Sequence, residues 1–188
     1  EINPLVITKQ GEVIALDAKI NFVLPPCYVI FAETNCVMEQ SLHITFHRYE
    51  RLADLPAEDR ALVERAAEAT ARAYAPYSNF RVGAAARLSG GEVVSATNIE
   101  SEAFPSGMCA ERSLLYYCSS AYAEQRVQAI AITSDPSERE CYPCGACRQV
   151  LLDVERRQGE PIRIIMAGGG TATVVESAES LLPFNFKL

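Results

Sequence analysis

Three cysteines constrain this chain more than any other feature. They are Cys109, in Cys109-Ala110-Glu111-Arg112, and Cys144 and Cys147, in Pro143-Cys144-Gly145-Ala146-Cys147-Arg148-Gln149. If their sulfurs share one ion, the fold must bring together segments 35 residues apart. Cys144 and Cys147 are separated by one helical turn, which places both sulfurs on one side. Pro143 suits the start of that helix, where free N–H groups and the helix dipole favour thiolates. Cys109 is placed to open a neighbouring helix, so two helix N-termini are expected to converge on the ion. Three protein ligands leave a tetrahedral zinc with one open position, the arrangement of catalytic sites. Water there is acidified toward neutral pH, and a carboxylate beside it can move its protons.

Glu111 is that carboxylate. It lies two residues past Cys109, roughly 200° around a regular helix, so it is expected to shuttle protons and not to ligate. Zinc with three thiolates carries a net negative charge. Arg112 and Arg148, each close behind a cysteine, are expected to offset it by hydrogen-bonding the sulfurs. The cysteines alone also admit a structural zinc with Cys141 or Cys118 as fourth ligand. An iron–sulfur run is a poorer fit, because Leu151 stands where its next cysteine would fall.

Composition narrows the partners. A net charge of -7 lacks the basic face that holding a polynucleotide requires, so a small free substrate is expected. Seven cysteines, an odd number at metal-like spacing, argue against a disulfide framework. No apolar run approaches the roughly 20 residues of a membrane span, and no secretory signal is evident, so a cytoplasmic protein is expected.

Periodicity predicts an amphipathic helix from about Pro56 to Tyr74, with Pro56 in its first turn. Arg81 to Leu88 and Glu92 to Ile99 flank Gly90-Gly91 as a hairpin. A helix from Cys109 toward Tyr117, a strand from Val127 to Thr133 and a helix from Cys144 to about Arg156 follow. Strands from Ile162 to Met166 and from Thr171 to Val175, around a Gly168–Gly170 turn, complete the pattern. This is an α/β chain with a mixed sheet of about five strands covered by helices.

The two cysteine motifs, together with Tyr77-Ser78-Asn79-Phe80-Arg81-Val82-Gly83-Ala84-Ala85, Asn98-Ile99-Glu100 and the ending Leu181-Leu182-Pro183 with Phe186, resemble the cytidine deaminase family. The likeness is to its short, three-cysteine members and covers about residues 50–186. It implies a three-layer α/β/α fold, one Zn²⁺ per subunit and a homotetramer with shared active sites. The implied reaction is hydrolytic deamination of free cytidine and 2′-deoxycytidine to the uridines, a step of pyrimidine salvage. In that reading Glu111 is catalytic, and Asn98 and Glu100 bond the ribose hydroxyls. Phe80 packs near the base, the Ala110 N–H holds the pyrimidine carbonyl, and Phe186 reaches a neighbouring subunit. Ser101 and Phe104 stand where the family often carries Asn and Tyr, which removes one hydroxyl from the sugar side. Deaminases of nucleoside antibiotics share the cysteine motifs, but the Tyr77 and Asn98 motifs favour cytidine. A non-catalytic zinc module is the rival of another class.

Residues 1–22 resemble something else, the ATP-grasp metal-site hairpin of succinyl-CoA ligase β subunits. Glu1, Asn3 and Asp17 match that family's nucleotide and Mg²⁺ positions, but so short a stretch cannot make its site. Residues 1–37 are therefore expected to be an appended segment, with the deaminase domain spanning 38–188.

Overall fold

The computed structural model describes residues 5–7, 13–15 and 40–186. The chain divides into two units, Glu1–His43 and Ile44–Leu188. In the first, β1 (Leu5–Ile7) and β2 (Val13–Ala15) pair antiparallel, with Val6 opposite Ile14. Glu1, Asn3 and Asp17 lie outside the described residues.

The second unit contains β3 (His47–Tyr49), β4 (Arg81–Leu88), β5 (Val93–Thr97), β6 (Val127–Asp135), β7 (Arg163–Gly168) and β8 (Thr171–Val175). They form one sheet in the order β3-β8-β7-β6-β4-β5. The β6–β7 pair is parallel, and the helix α3 (Gly145–Gln158) supplies the crossover that parallel neighbours need. The other pairs are antiparallel, so the sheet is mixed. Two further helices, α1 (Ala57–Thr70) and α2 (Ala110–Ala121), complete the regular structure.

Alternation along the strands explains the layers. Ala84 and Ala86 of β4, with Ile130 and Ile132 of β6, pack against Leu114, Leu115, Leu151 and Leu152 of α2 and α3. Ala85, Ala129, Ala131 and Ile165 point the other way, against Leu62, Val63 and Ala66 of α1. Both faces are covered, which is why β4 and β6 read as unbroken apolar runs. The result is the expected α/β/α arrangement. On the α1 side, Arg163 of β7 grips the buried Asp59 with Nε and Nη2 at 2.9 and 2.8 Å, fastening the helix to the sheet.

The sheet has six strands, not about five. The addition is β3, whose exposed His47 and Arg48 show no apolar alternation. It is a strand through backbone pairing with β8, His47 opposite Val174, and pairing at an edge leaves little mark on sequence. Helix α1 stops at Thr70, four residues before the predicted end, and Pro56 is its N-cap, one residue outside the helix. Thr70 bonds back to the Ala67 carbonyl, and Tyr74 leaves to form a bridge with Ile99. Pro76, which biases Ala75 toward extended backbone, forbids continuation.

Candidate active site

The two cysteine motifs meet at the N-termini of α2 and α3. Cys109 and Cys144 are the N-cap residues, with φ/ψ of -72/153 and -67/168, and neither helix has a side-chain cap bond. Each sits one residue outside the helix it was expected to begin. Because Cys109 is extended, the 200° separation expected between it and Glu111 does not apply. Glu111 occupies the second position of α2, Cys147 the third of α3.

The sulfurs of Cys109 and Cys144 are 3.9 Å apart, those of Cys144 and Cys147 3.4 Å, and all three lie within 4.8 Å. Sulfurs about 2.3 Å from a tetrahedral zinc sit roughly 3.8 Å from one another, so this soft, three-sulfur set fits that ion. Cys118 and Cys141 are not part of the group. Burial pushes both thiols up to about 11, and among the described residues no fourth cysteine joins the three.

Charge is unevenly shared among the sulfurs. The Cys109 thiol is drawn down to about 5, first by a hydrogen bond from Cys147 and then, against its burial, by Arg112 and Cys144. Arg112 Nη2 donates to Cys109 Sγ at 3.6 Å, and its buried Nε has no protein partner. The Cys147 thiol is pushed up because it donates to Cys109, and by its burial. An ion entering this cluster must displace thiol protons. Glu111 is buried, 4% exposed, and burial raises its carboxyl, helped by the Cys109 charge and opposed by its own N–H and the Cys147 thiol. That places a protonatable carboxyl against the sulfur cluster.

Arg148 departs from expectation. It donates to no sulfur: Nε goes to the Pro143 carbonyl at 2.8 Å and Nη1 to the Leu181 carbonyl at 3.3 Å. Its partners are backbone groups because the start of α3 turns Pro143, not a cysteine, toward it.

A cleft of about 570 Å³ opens beside Cys109 and Arg112, lined also by Tyr77, Asn98, Glu100 and Phe104. The Tyr77 ring meets Phe104 edge-on, centroids 6.0 Å apart. Asn98 and Glu100 hold the 77–82 loop against the cleft. Asn98 Oδ1 accepts from Val82 N at 2.7 Å and Nδ2 donates to Phe80 O at 2.9 Å. Glu100 accepts from Tyr77 N at 2.8 Å, from Ser78 N and from the Ser78 hydroxyl. The Ser78 hydroxyl, helped by the two amides and against burial, lowers the Glu100 carboxyl. Phe80, Ala110 and Phe186 do not line this cleft. Phe80 is 43% exposed beside it, Ala110 is buried at the start of α2, and Phe186 is 68% exposed near the C-terminus.

Sequence reasoning missed the supports behind the cluster. Buried Glu140, four residues before Cys144, accepts hydroxyls from Thr171 and Thr173 at 2.7 Å and from Tyr142 at 2.6 Å. The 137–141 loop presses on the β7–β8 turn so closely that a Cβ at Gly168 would overlap the Arg139 carbonyl. A lone Glu in a polar loop gives no signal of this; Gly168-Gly169-Gly170 hinted only at a turn.

Residues 56–158, more than half of the chain, match the cytidine and deoxycytidylate deaminase zinc-binding region. The cytidine deaminase of Halalkalibacterium halodurans is 43% identical over 95 residues, 50% of this chain and 69% of that one. The crystal structure of cytidine deaminase from Burkholderia pseudomallei superposes with a TM-score of 0.60 at 34% identity, covering 70% of this chain and all of that one. That of the Mycobacterium tuberculosis cytidine deaminase gives 0.58 at 31% identity, covering 71% of this chain. The converging helix ends, the three sulfurs and the buried Glu111 stand inside the matched region, and the chain belongs to the cytidine and deoxycytidylate deaminase family.

Proposed function

We propose that the chain hydrolyses free cytidine and 2′-deoxycytidine to uridine and 2′-deoxyuridine, with release of ammonia, as a step of pyrimidine salvage. The observation that carries this is a buried, raised Glu111 set against three sulfurs in the geometry of a zinc site. Cys109, Cys144 and Cys147 would hold one Zn²⁺ per chain. When bound, zinc supplies Lewis acidity that makes a water nucleophilic at neutral pH.

The chain's own residues do the rest. Glu111 takes a proton from the water that adds to C4 and delivers it to N3. It then takes the remaining proton from the hydroxyl now on C4 and passes it to the amino group, as the C4–N bond breaks and the C4 carbonyl forms. A carboxyl that burial raises above its ordinary value is suited to transfer in both directions. The Ala110 N–H, one of the first of α2 and without an intrahelical partner, is offered to the pyrimidine carbonyl. Asn98 and Glu100 face the ribose hydroxyls while keeping the 77–82 loop in place, and Phe80 packs near the base. The cleft offers Arg112, already engaged at Cys109, and the acidic Glu100. Among the described residues lining the cleft, a 5′-phosphate would meet the Glu100 charge and no cation besides Arg112, which favours nucleosides over nucleotides.

Phe186 is read as a contribution to a neighbouring subunit's site in a homotetramer; an aromatic so exposed at the chain end supports that reading. Among the described residues no helix is long and apolar enough to cross a membrane. A cytoplasmic enzyme without membrane or polynucleotide partners is the simplest setting. Residues 1–37 are proposed to be an appended segment, related to an ATP-grasp hairpin but without ligase activity, and 38–188 the deaminase domain.

The test is ultraviolet loss of cytidine with zinc-quantified protein, beside the Glu111→Gln variant. The variant should keep its zinc and lose roughly 10²-fold or more in rate. Undiminished activity in that variant rules out the shuttle; zinc without turnover in the parent turns the reading toward a binding module.

A further inference from the structure

Helix α3 is fastened at both ends of one face to the C-terminal segment. Residues 148, 155 and 156 follow the seven- and eight-residue spacing of a single helix face. Glu155, buried, accepts from Ala178 N at 2.7 Å and from the Ser177 hydroxyl at 2.6 Å. Arg156 donates to the Asn185 side chain and the Phe186 carbonyl. At the other end Arg148 reaches the Leu181 carbonyl at 3.3 Å. Between these ties Leu181 and Leu182 pack on the core that α2 and α3 share.

Arg148 is unlike the other two because its second partner belongs to the metal-ligand turn. Its Nε donates to the Pro143 carbonyl at 2.8 Å, while its own backbone N–H donates to the Cys144 carbonyl at 2.9 Å. That backbone bond is the first of α3, which any residue but proline would make; the guanidinium adds a hold on the Pro143 carbonyl, just before the exposed sulfur ligand, and ties it to the tail. Cys144 itself has no side-chain cap bond and is the most exposed of the three cysteines. Pro143 has no N–H with which to anchor the turn.

We infer that Arg148 is a positioning residue whose side-chain bonds to the Pro143 and Leu181 carbonyls hold the turn that places Cys144, and so set how firmly the site retains its ion. This rests on the three-cysteine metal site proposed above. A guanidinium fits because it reaches two divergent carbonyls at once, where an ammonium on a flexible stem meets one well.

The experiment follows zinc release from the full chain to a chromogenic chelator, in the parent and in Arg148→Ala, Arg148→Lys and Arg156→Ala, with folding checked by circular dichroism. Release from Arg148→Ala should be about 10-fold faster or more, the loss typical when a support of a metal ligand is removed. Arg148→Lys should fall between, and keeps the test open if the alanine variant does not fold. Arg156→Ala, which touches only the distal tail, should stay within about twofold of the parent. Unchanged release in folded Arg148 variants overturns the inference, and so does equal acceleration by Arg156→Ala, which would mean general loosening. A parent chain that holds no zinc would count against the metal reading itself. The hold on the turn is then read from the reaction of Cys144 with a disulfide reagent, expected to quicken in Arg148→Ala and not in Arg156→Ala; equal rates there also overturn the inference.

Discussion

The N-termini of α2 and α3 do the same job by different means. Each places a cysteine where a Ser, Thr, Asp or Asn usually caps a helix, so each forgoes a cap bond and turns a sulfur toward free N–H groups and the positive end of the dipole. At α2 the approach is rigid backbone: Met108 and Ile99 exchange two hydrogen bonds of 2.9 Å immediately before Cys109. There Arg112 acts on the sulfur directly. At α3 the approach is a loop, and side chains hold it, Glu140 of the loop to the sheet and Arg148 of the helix to the Pro143 and Leu181 carbonyls. The α2 end supplies the charge of the site and the α3 end its adjustable placement. Arg112, three residues after Cys109, serves its sulfur, while Arg148, next to Cys147, serves the turn.

Three substitutions sharpen or break this contrast. Arg112→Ala has the largest expected effect, because it removes the cation held against Cys109. Zinc affinity by chelator competition should fall about 10–100-fold, and unaltered affinity would remove the electrostatic role given to the α2 end. Gly168→Ala forces the 137–141 loop away from β7 and should cost about 1–3 kcal/mol by denaturant unfolding. If stability holds, the loop is not seated by that close approach.

Glu140→Gln has the smallest and most conditional effect, about 1 kcal/mol for a lost charged acceptor. Burial alone would raise this carboxyl, but Thr173, Tyr142, Thr171 and the Arg48 charge together hold it below its ordinary value of 4.5. A lowered native value means its contribution is complete above pH 4.5 and fades as pH falls through that lower value. The melting temperatures of parent and variant should differ at pH 7 and converge in acid. A gap that persists or grows below that range breaks the assignment.

Much of this was legible in the chain. The three sulfurs, Glu111 and the five long strands were written in residue type and period, since buried two-faced strands must be apolar and thiolate ligands must be cysteines. The expected hairpin around Gly90-Gly91 appears as β4 and β5 in register, Ala85 opposite Ser95. Other features left no such mark. Strand β3 depends on an edge that β8 offers. The true partners of Arg148 depend on which carbonyl the α3 turn presents. Asn98 and Glu100 were read toward a sugar, yet in the fold their side chains also fasten the 77–82 loop.

By itself the sequence determined the class of fold and which side chains could serve as metal ligands, because those follow from how often apolar residues recur and which atoms a side chain carries. The tertiary structure alone decided that Cys109 and Cys144 occupy N-cap positions and that Arg112 serves sulfur while Arg148 serves the turn. It also decided that a buried Glu140 and the C-terminal segment brace the site. Those facts depend on which backbone groups are brought within hydrogen-bonding distance across tens of residues, and no local pattern encodes that.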